Sequence, residues 1–135
     1  MHSALLKYFC LLFVLAANIN IAQPQTDSSF QSTLTFNIVK DQLQIIPLFR
    51  NKSDKDIKIK YKFIVVKNGS NGESTTNQSG GKDLAADSNE SLSEVSLDFN
   101  IKYSYEVDLT ILKDNKLINE IHKIYSGKEI QDHEY

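Results

Sequence analysis

The chain has 135 residues and a formal net charge of −2, with 24% charged and 41% hydrophobic residues. This length and apolar content are those of one globular domain with its own core. The composition excludes a disordered chain, and the slightly acidic balance argues against a nucleic-acid-binding protein, which needs a strong positive charge.

The first 22 residues have the order of regions found in a secretory signal peptide. Lys7 precedes an apolar run from Tyr8 to Ala17, small residues follow, and polar sequence begins at Gln23. The run is shorter than the roughly 20 apolar residues that a membrane-spanning helix needs. We therefore predict export, with cleavage after Ala22 as the first choice and cleavage after Ala17 as the alternative.

Removal of the signal peptide changes the chemistry available to the mature chain. Cys10 is the one cysteine and lies within the apolar run, so the mature chain has no disulfide and no thiol chemistry. Lys7 is lost as well: Lys plus Arg falls from 15 to 14, Asp plus Glu stays at 17, and the net charge becomes −3. We expect a flexible lead-in over residues 23–32, one domain over residues 33–126 and a polar tail over residues 127–135.

From residue 33 onwards apolar and polar residues alternate, which predicts short β-strands separated by turns. Pro47 cannot donate a ladder hydrogen bond, so its strand is predicted to lie at a sheet edge or to bulge there. The stretch from Asn68 to Gly81 is rich in Gly, Ser, Asn and Thr and is predicted to be a long mobile loop. The predicted strands are Thr33–Ile38, Gln42–Pro47, Ile57–Val65, Ser91–Phe99, Tyr103–Ile111 and Leu117–Tyr125, with a charged turn at Asn51–Lys55 and a tight hairpin turn at Lys113–Lys116. The spacing in Ser91–Phe99 is imperfect early and strict late, which predicts a bulge or a late start in that strand.

One predicted strand separates apolar and basic side chains on its two faces. Apolar residues occupy positions 57, 59, 61, 63 and 65, and Lys58, Lys60 and Lys62 stand between them and form what we call the lysine row. Because successive side chains of a strand point to opposite faces, we expect the apolar residues to be buried and the lysines exposed. Three like charges on one face repel each other. We therefore expect an acidic neighbouring strand, an acidic partner or protection against edge-to-edge aggregation to offset the cost.

Six or seven short strands with turn signals at near-regular spacing predict an all-β domain. The favoured architecture is an immunoglobulin-like antiparallel β-sandwich of about seven strands, and a small closed barrel is the alternative. In such a sandwich the third strand pairs with the sixth, which would place Glu106 and Asp108 beside the lysine row. Each cross-strand pair would stabilise the sheet by roughly 0.2–1 kcal/mol. A lysine row that is paired in this way and one that binds a partner both stay open.

The order of these features resembles that of the curli assembly chaperone family, which includes CsgC and CsgH. The resemblance extends from Leu34 to Tyr125, nearly all of the mature domain. Some family members carry a Cys-x-Cys pair on the third strand, whereas this chain has Ile57 and Ile59 there, so it is closer to the cysteine-free CsgH branch and has no redox role. The matching segments are Ile45–Pro47, Lys67–Ser74, Ser91–Phe99 and the closing hairpin at Lys113–Lys116.

The resemblance implies a fold and a function. Members of the family are immunoglobulin-like sandwiches that keep a curlin-type amyloid subunit from aggregating in the periplasm before its secretion. For this chain it implies a monomeric periplasmic inhibitor that binds curlin subunits or early oligomers transiently. The residues expected to contact this client are basic side chains: Lys58, Lys60, Lys62, Lys67 and Arg50.

Other classes of function find little support in the sequence. It contains no catalytic or nucleotide-binding motif, so we expect no enzyme activity, cofactor, metal, nucleic acid or, after signal cleavage, membrane contact. His122 and His133 are the only histidines of the mature chain and have no second ligand at metal-binding spacing, so they are interpreted as surface residues. The alternative to an amyloid chaperone is an immunoglobulin-like adhesion or structural module of the cell envelope.

Overall fold

The computed structural model describes residues 29–133. The predicted signal peptide, most of the predicted lead-in and the last two residues therefore lie outside the described residues, and the first strand begins within the predicted lead-in. The described part contains eight strands and one short helix. These are β1 (Phe30–Val39), β2 (Gln42–Asn51), β3 (Ile57–Gly69), β4 (Gly72–Leu84), β5 (Ser88–Ser91), β6 (Val95–Asp98), β7 (Ser104–Lys113), β8 (Lys116–Ser126) and α1 (Gly127–Asp132).

The strands form two antiparallel sheets of four strands each. Sheet 1 contains β1, β2, β5 and β6, and both β5 and β6 pair with the side of β2 that β1 leaves free. Sheet 2 has the order β4-β3-β7-β8. The two sheets enclose one hydrophobic core, which confirms the predicted all-β sandwich, with one strand more than expected. Within residues 29–133 no helix has the length and apolar content needed to cross a membrane.

The core is built from the inward-pointing row of each strand, as the alternation predicts. On β7, for example, Val107, Leu109 and Ile111 are at most 1% exposed. Burial of each such aliphatic side chain stabilises the fold by about 1.5–3 kcal/mol relative to leaving it in water. The other buried apolar residues are Phe30, Leu43, Ile45, Phe49, Ile57, Ile59, Phe63, Val65, Leu84, Leu92, Val95, Tyr105 and Ile130.

Two tight turns have the backbone geometry that matches the twist of a β-hairpin. Lys40 and Asp41 have φ angles of 52° and 64°, and Asp114 and Asn115 have φ angles of 52° and 62°. Two consecutive positive φ angles define a type I′ turn, and Asp and Asn tolerate them better than most side chains. The predicted break between the first two strands and the predicted hairpin at Lys113–Lys116 are therefore confirmed.

Pro47 lies in the middle of a central strand, so the predicted edge position is wrong. β2 pairs with β1 along its whole length, while its other side pairs with β6 at residues 42–45 and with β5 at residues 48–51. Pro47 falls in the gap between these two short strands, where its missing N–H has no strand to bond. Its carbonyl oxygen accepts a hydrogen bond from the Leu92 amide at 2.9 Å. The proline therefore costs no ladder hydrogen bond.

The stretch predicted to be a mobile loop is instead part of a long hairpin. β3 continues to Gly69, a two-residue turn follows, and β4 pairs with β3 over its full 13 residues. Gly72 has a φ angle of 111°, which favours glycine at this end of the turn. The prediction failed because inward positions of β4 hold Thr76, Gln78 and Lys82, so the sequence has no apolar alternation to mark a strand.

Two further boundaries differ from the prediction. The segment Ser91–Phe99, predicted to be a strand with a bulge or a late start, has a late start: its strand β6 begins at Val95, while Ser91 ends β5 and buried Leu92 lies between the two. The predicted polar tail begins with α1, whose first turn is capped by Ser126 Oγ accepting a hydrogen bond from the Glu129 amide at 3.0 Å. Ile130 anchors this helix in the core and is 2% exposed. One apolar residue gives no periodicity, so the helix is not visible in the sequence.

Asn51 is the buried polar residue of the described chain, and it holds the connection between β2 and β3. Its Nδ2 donates to the carbonyl oxygens of Lys55 at 2.9 Å and Ala85 at 3.0 Å. Its Oδ1 accepts from the amide of Ser53 at 3.0 Å and from the Ser53 hydroxyl at 2.6 Å. The segment was predicted only as a charged turn, although an Asn that bonds the backbone two residues later is a known turn signal.

We expect Asn51→Ala to lower the free energy of unfolding by about 2–4 kcal/mol, because two carbonyl groups lose their donor and the Ser53 amide loses its acceptor. Chemical denaturation followed by circular dichroism measures this change. Ser53→Ala removes one hydroxyl from the same cluster and should cost clearly less. Equal stability of the wild type and Asn51→Ala would contradict the role given to this side chain.

Candidate functional site

The lysine row lies on the exposed face of sheet 2, as the alternation of β3 predicts. Lys58, Lys60 and Lys62 are exposed, whereas Ile59 and Phe63 on the other face are at most 2% exposed. β3 is an inner strand, with β4 on one side and β7 on the other. The row is therefore a surface feature on a strand whose backbone is hydrogen-bonded along both sides.

Of the two possibilities left open by the sequence, the structure does not show the pairing of the lysine row with Glu106 and Asp108. These two acidic residues lie opposite Val66 and Ile64, which follow the lysine row along β3. The alignment of the two strands is set by the packing of their inward rows in the core, and charge on the outer face has little influence on it. The lysine row therefore does not obtain its counter-charges from β7.

The actual neighbours of the lysine row leave most of its charge without a partner. On the β7 side the second and third lysines face Leu112 and Thr110, which carry no charge. On the β4 side the three lysines face Asp83, Gly81 and Ser79, in that order. None of the ion pairs found between residues 29 and 133 involves a lysine of the row. One carboxylate thus lies opposite three ammonium groups.

The other two residues predicted to contact a client lie elsewhere. Arg50 is exposed on β2, in sheet 1. Lys67 belongs to β3 but points to the face opposite the lysine row. Its Nζ lies 3.8 Å from Asp98 Oδ2 and 5.5 Å from the centre of the Tyr103 ring. The structure thus brings together three of the five predicted residues and separates the other two from them.

A surface hollow of about 420 Å³ lies between the lysine row and the turn that joins β7 to β8. Gly81 of the edge strand β4 is part of its lining. Its lining carries both signs of charge. Two lysines of the row and Lys82 are positive, and Asp83 and Asp114 are negative.

The outer face of sheet 2 also brings together Glu106, Asp108 and His122, which each offer one ligand atom within 4.8 Å of the others. His122 Nδ1 is hydrogen-bonded to Asp108, and His122 Nε2 lies 3.8 Å from Glu106 Oε1. The hydrogen bond and the charge of Asp108 raise the pKa of His122, with smaller contributions from Glu106 and Glu120. Because the two carboxylates contact opposite nitrogens of the ring, the group suits a protonated imidazole better than one shared metal ion.

His122 is exposed, as its interpretation as a surface residue predicts, but its acidic neighbours were missed. Counting strand positions outward from the turn at residues 114–115 would place His122 opposite Val107, on the inner face. A register shift in this hairpin moves it by one position, opposite Asp108 on the outer face. Such a β-bulge leaves no clear mark in the sequence, so only the structure identifies this group.

Comparison with known proteins shows what the chain is similar to. No protein-family model matches it, and no curated protein matches it in sequence. The E. coli curli protein CsgC is similar in structure with a TM-score of 0.58 and 20% identity, over 72% of this chain and 98% of that one. R. palustris CsgH gives a TM-score of 0.56 and 18% identity, over 78% and 99%. A β-galactosidase-like protein from Bacteroides fragilis gives 0.50 and 15%, over 70% of this chain but 16% of that one.

The likeness to CsgC and CsgH extends over nearly the whole of those two chains. It confirms the resemblance that the order of sequence features indicated. At identities of 20% and below, this likeness shows a shared fold.

We expect an NMR titration to give His122 a pKa above its ordinary value of 6.5, because protonation is favoured by the adjacent carboxylates. The stabilisation that this charge supplies is complete below pH 6.5 and is lost as the pH rises through the raised pKa of the folded state. Asp108→Asn should lower the pKa of His122 strongly, whereas Glu120→Gln, which removes a weaker and more distant charge, should lower it little. Equal effects of the two variants would contradict the assignment of Asp108 as the main cause.

Proposed function

We propose that the mature chain is a periplasmic inhibitor of amyloid-subunit aggregation that binds curlin-type subunits or early oligomers transiently. The observation that carries this proposal is the lysine row, three exposed ammonium groups without an ion-pair partner among the described residues. Support comes from the fold, which is shared with two curli proteins over nearly their whole length. The row gives that fold a surface that an acidic, extended client can recognise.

The physical basis is competition for an extended chain. Amyloid subunits grow by adding their backbone to open strand edges, so a soluble domain that holds such a segment delays growth. A lysine ammonium is a strongly hydrated point charge on a flexible stem, and it attracts carboxylates without requiring one fixed geometry. This attraction fades over about 8 Å at physiological salt and speeds encounter more than it tightens binding. The expected binding is weak, fast and sensitive to salt.

The same charges oppose assembly of the domain with itself. Two copies that met through the outer face of sheet 2 would bring two lysine rows together. Like charges placed opposite each other destabilise a sheet contact. The row thus admits an acidic client and disfavours a second copy of this chain.

The alternative function is an immunoglobulin-like adhesion or structural module of the cell envelope. The likeness to one segment of a larger β-galactosidase-like protein shows that this sandwich also occurs as a building block. A module of this kind would bind a surface partner or itself and would leave curlin assembly unchanged. The uncompensated lysine row favours the inhibitor, because its repulsion is offset when an acidic client binds.

We expect the chain from Gln23 to lengthen the lag of curlin-subunit fibrillation, followed by thioflavin fluorescence, at a ratio far below one inhibitor per subunit. The delay should be large at low salt and small at high salt, because screening weakens the attraction between exposed charges. The triple variant Lys58→Glu/Lys60→Glu/Lys62→Glu should lose the delay while keeping the fold, since all three side chains are exposed.

The matched control is Lys40→Glu/Lys52→Glu/Lys55→Glu, which changes the net charge by the same amount at exposed positions in two connections. This control should delay fibrillation as the wild type does. A folded wild-type chain without effect at any ratio, or equal delays from both triple variants, would contradict the proposal. The first of these results would favour the envelope module.

A further inference from the structure

We infer that the open edge of β4 is a docking site for an extended, acidic segment of a client protein. Lys60 and Lys62 reach across β4 to the carboxylates of that segment. The inference deepens the proposed function and rests on it for the nature of the client.

The backbone of β4 offers a continuous set of unpaired groups. β4 is the outermost strand of sheet 2 in the described chain, so one of its sides has no strand partner there. The two-residue turn makes Gly69 and Gly72 a hydrogen-bonded pair, and such pairs alternate with non-hydrogen-bonded pairs along antiparallel strands. The even-numbered residues of β4 therefore bond to β3. The central residues that direct N–H and C=O to the open side are Thr75, Asn77, Ser79 and Gly81.

This edge lacks the protection that natural sheets usually have. Lysines, prolines, bulges and short length are the common means of blunting an edge. Residues 74–81 contain no charged residue and no proline, and their pairing with β3 shows no register shift. In sheet 1, by contrast, β5 and β6 are four residues long, and the β1 edge meets β8, where Asn119 Nδ2 donates to the Phe30 carbonyl at 3.2 Å. The β4 edge is therefore long and accessible.

The edge is also held in place from its inner side. Gln78 Nε2 donates to the Glu94 carbonyl oxygen at 3.1 Å, and Lys82 Nζ donates to the Ser91 carbonyl oxygen at 2.7 Å. Both bonds tie β4 to the chain segment of sheet 1 that faces it. A strand that is ordered before binding reduces the entropy cost of adding another strand.

The side chains between the lysine row and the open edge are small. Lys60 lies opposite Gly81, and Lys62 lies opposite Ser79. A strand added to β4 would lie two strand spacings from β3, about 9.6 Å. The four-carbon stem of lysine covers roughly one of these spacings and a client's Asp or Glu side chain most of the other. Ammonium and carboxylate groups can therefore meet above Gly81 and Ser79.

These features define the chemistry of the occupant. It is an extended segment that covers the seven positions from Thr75 to Gly81, with carboxylates at alternating positions on the lysine side. Backbone hydrogen bonds to the edge supply affinity, and the charges supply selection. Glu73 and Asp83 stand at the two ends of the same outer row of β4, so they disfavour acidic residues there. The carboxylates of the client are thus expected near the middle of the segment.

The binding test uses the isotope-labelled chain from Gln23, which holds every described residue of the core, and a capped seven-residue peptide in which Asp alternates with Thr. We expect the peptide to slow amide hydrogen exchange at Thr75, Asn77, Ser79 and Gly81. The same peptide with Asn in place of Asp should bind about fivefold more weakly, as expected for the loss of exposed ion pairs. Spectral changes at the lysine row without protection of these four amides would overturn the inference.

Two variants separately test the backbone edge of β4 and the contact between Lys60 and a carboxylate of the client. Asn77→Pro removes the backbone N–H of residue 77, which points to the open side of β4, and breaks no hydrogen bond to β3. Asn77→Ala keeps this N–H and is the matched control. In Gly81→Val the added Cβ would make an ordinary contact of 3.5 Å with the Ile59 carbonyl oxygen, so the variant should fold while its side chain stands before Lys60.

We expect Asn77→Pro to abolish protection of the edge and Asn77→Ala to retain it. Gly81→Val should weaken binding of the Asp peptide about fivefold, because the valine side chain blocks the ion pair with Lys60. Binding of the Asn peptide, which forms no ion pair, should be unaffected. Thermal unfolding midpoints close to that of the wild type confirm that the variants are folded. Wild-type binding by folded Asn77→Pro would overturn the edge as the docking site.

Fibrillation assays distinguish failure of this inference from failure of the proposed function. If Asn77→Pro delays curlin fibrillation as the wild type does, the function stands and the edge inference is wrong. If the wild type has no effect on fibrillation but the Asp peptide protects the β4 amides, the edge inference stands without that client. Protection of the same amides without peptide, in a dimer that forms as the protein concentration rises, would overturn the edge inference. The β4 edge would then pair with a second copy of this chain.

Discussion

The strict alternation of β3 is the constraint on which the rest of the structure depends. Its inward residues, such as Phe63 and Val65, are almost completely buried, and a slip of one position would turn them into solvent. Once that face is fixed, the lysine row has to lie outside, and its neighbours are the residues that β4 and β7 present there. The surface charge is thus a consequence of packing. Exposed lysines without partners are tolerated because an exposed ion pair stabilises a protein by less than about 1 kcal/mol.

The open edge and the lysine row complement each other. An apolar open edge would attract any extended chain, including other copies of the same domain. The outer residues of β4 between positions 75 and 81 are instead small and polar, and the charges proposed to control access to them lie one strand further in, on β3. An added strand that lacks carboxylates gains only backbone hydrogen bonds, whereas an acidic one also offsets the repulsion within the row. A short-range, weak interaction of this kind suits the proposed inhibitor, which would bind its client transiently.

The sandwich and the exposed lysine face follow from the sequence, because apolar alternation in β3 and β7 and an Asp-Asn turn specify them. β4 was not predicted because Gln78 and Lys82 point inward and donate hydrogen bonds to backbone carbonyls of the facing segment. These hydrogen bonds hold β4 against sheet 1, whereas apolar contacts hold the other strands. The partners of the lysine row also escaped prediction, since alternation fixes the face of a strand but leaves its register free by two positions. The contact between Asp108 and His122 depends on a register shift that no residue type announces.

We propose that a client adds to the β4 edge under the control of the lysine row. The most direct measurement is amide hydrogen exchange of the labelled chain with a curlin-type subunit, before fibrils form. We expect new protection at alternate residues of β4, above all Asn77 and Ser79, that becomes weaker at high salt. Protection on β8 or in sheet 1 with β4 unchanged, or protection of β4 that is insensitive to salt, would contradict it.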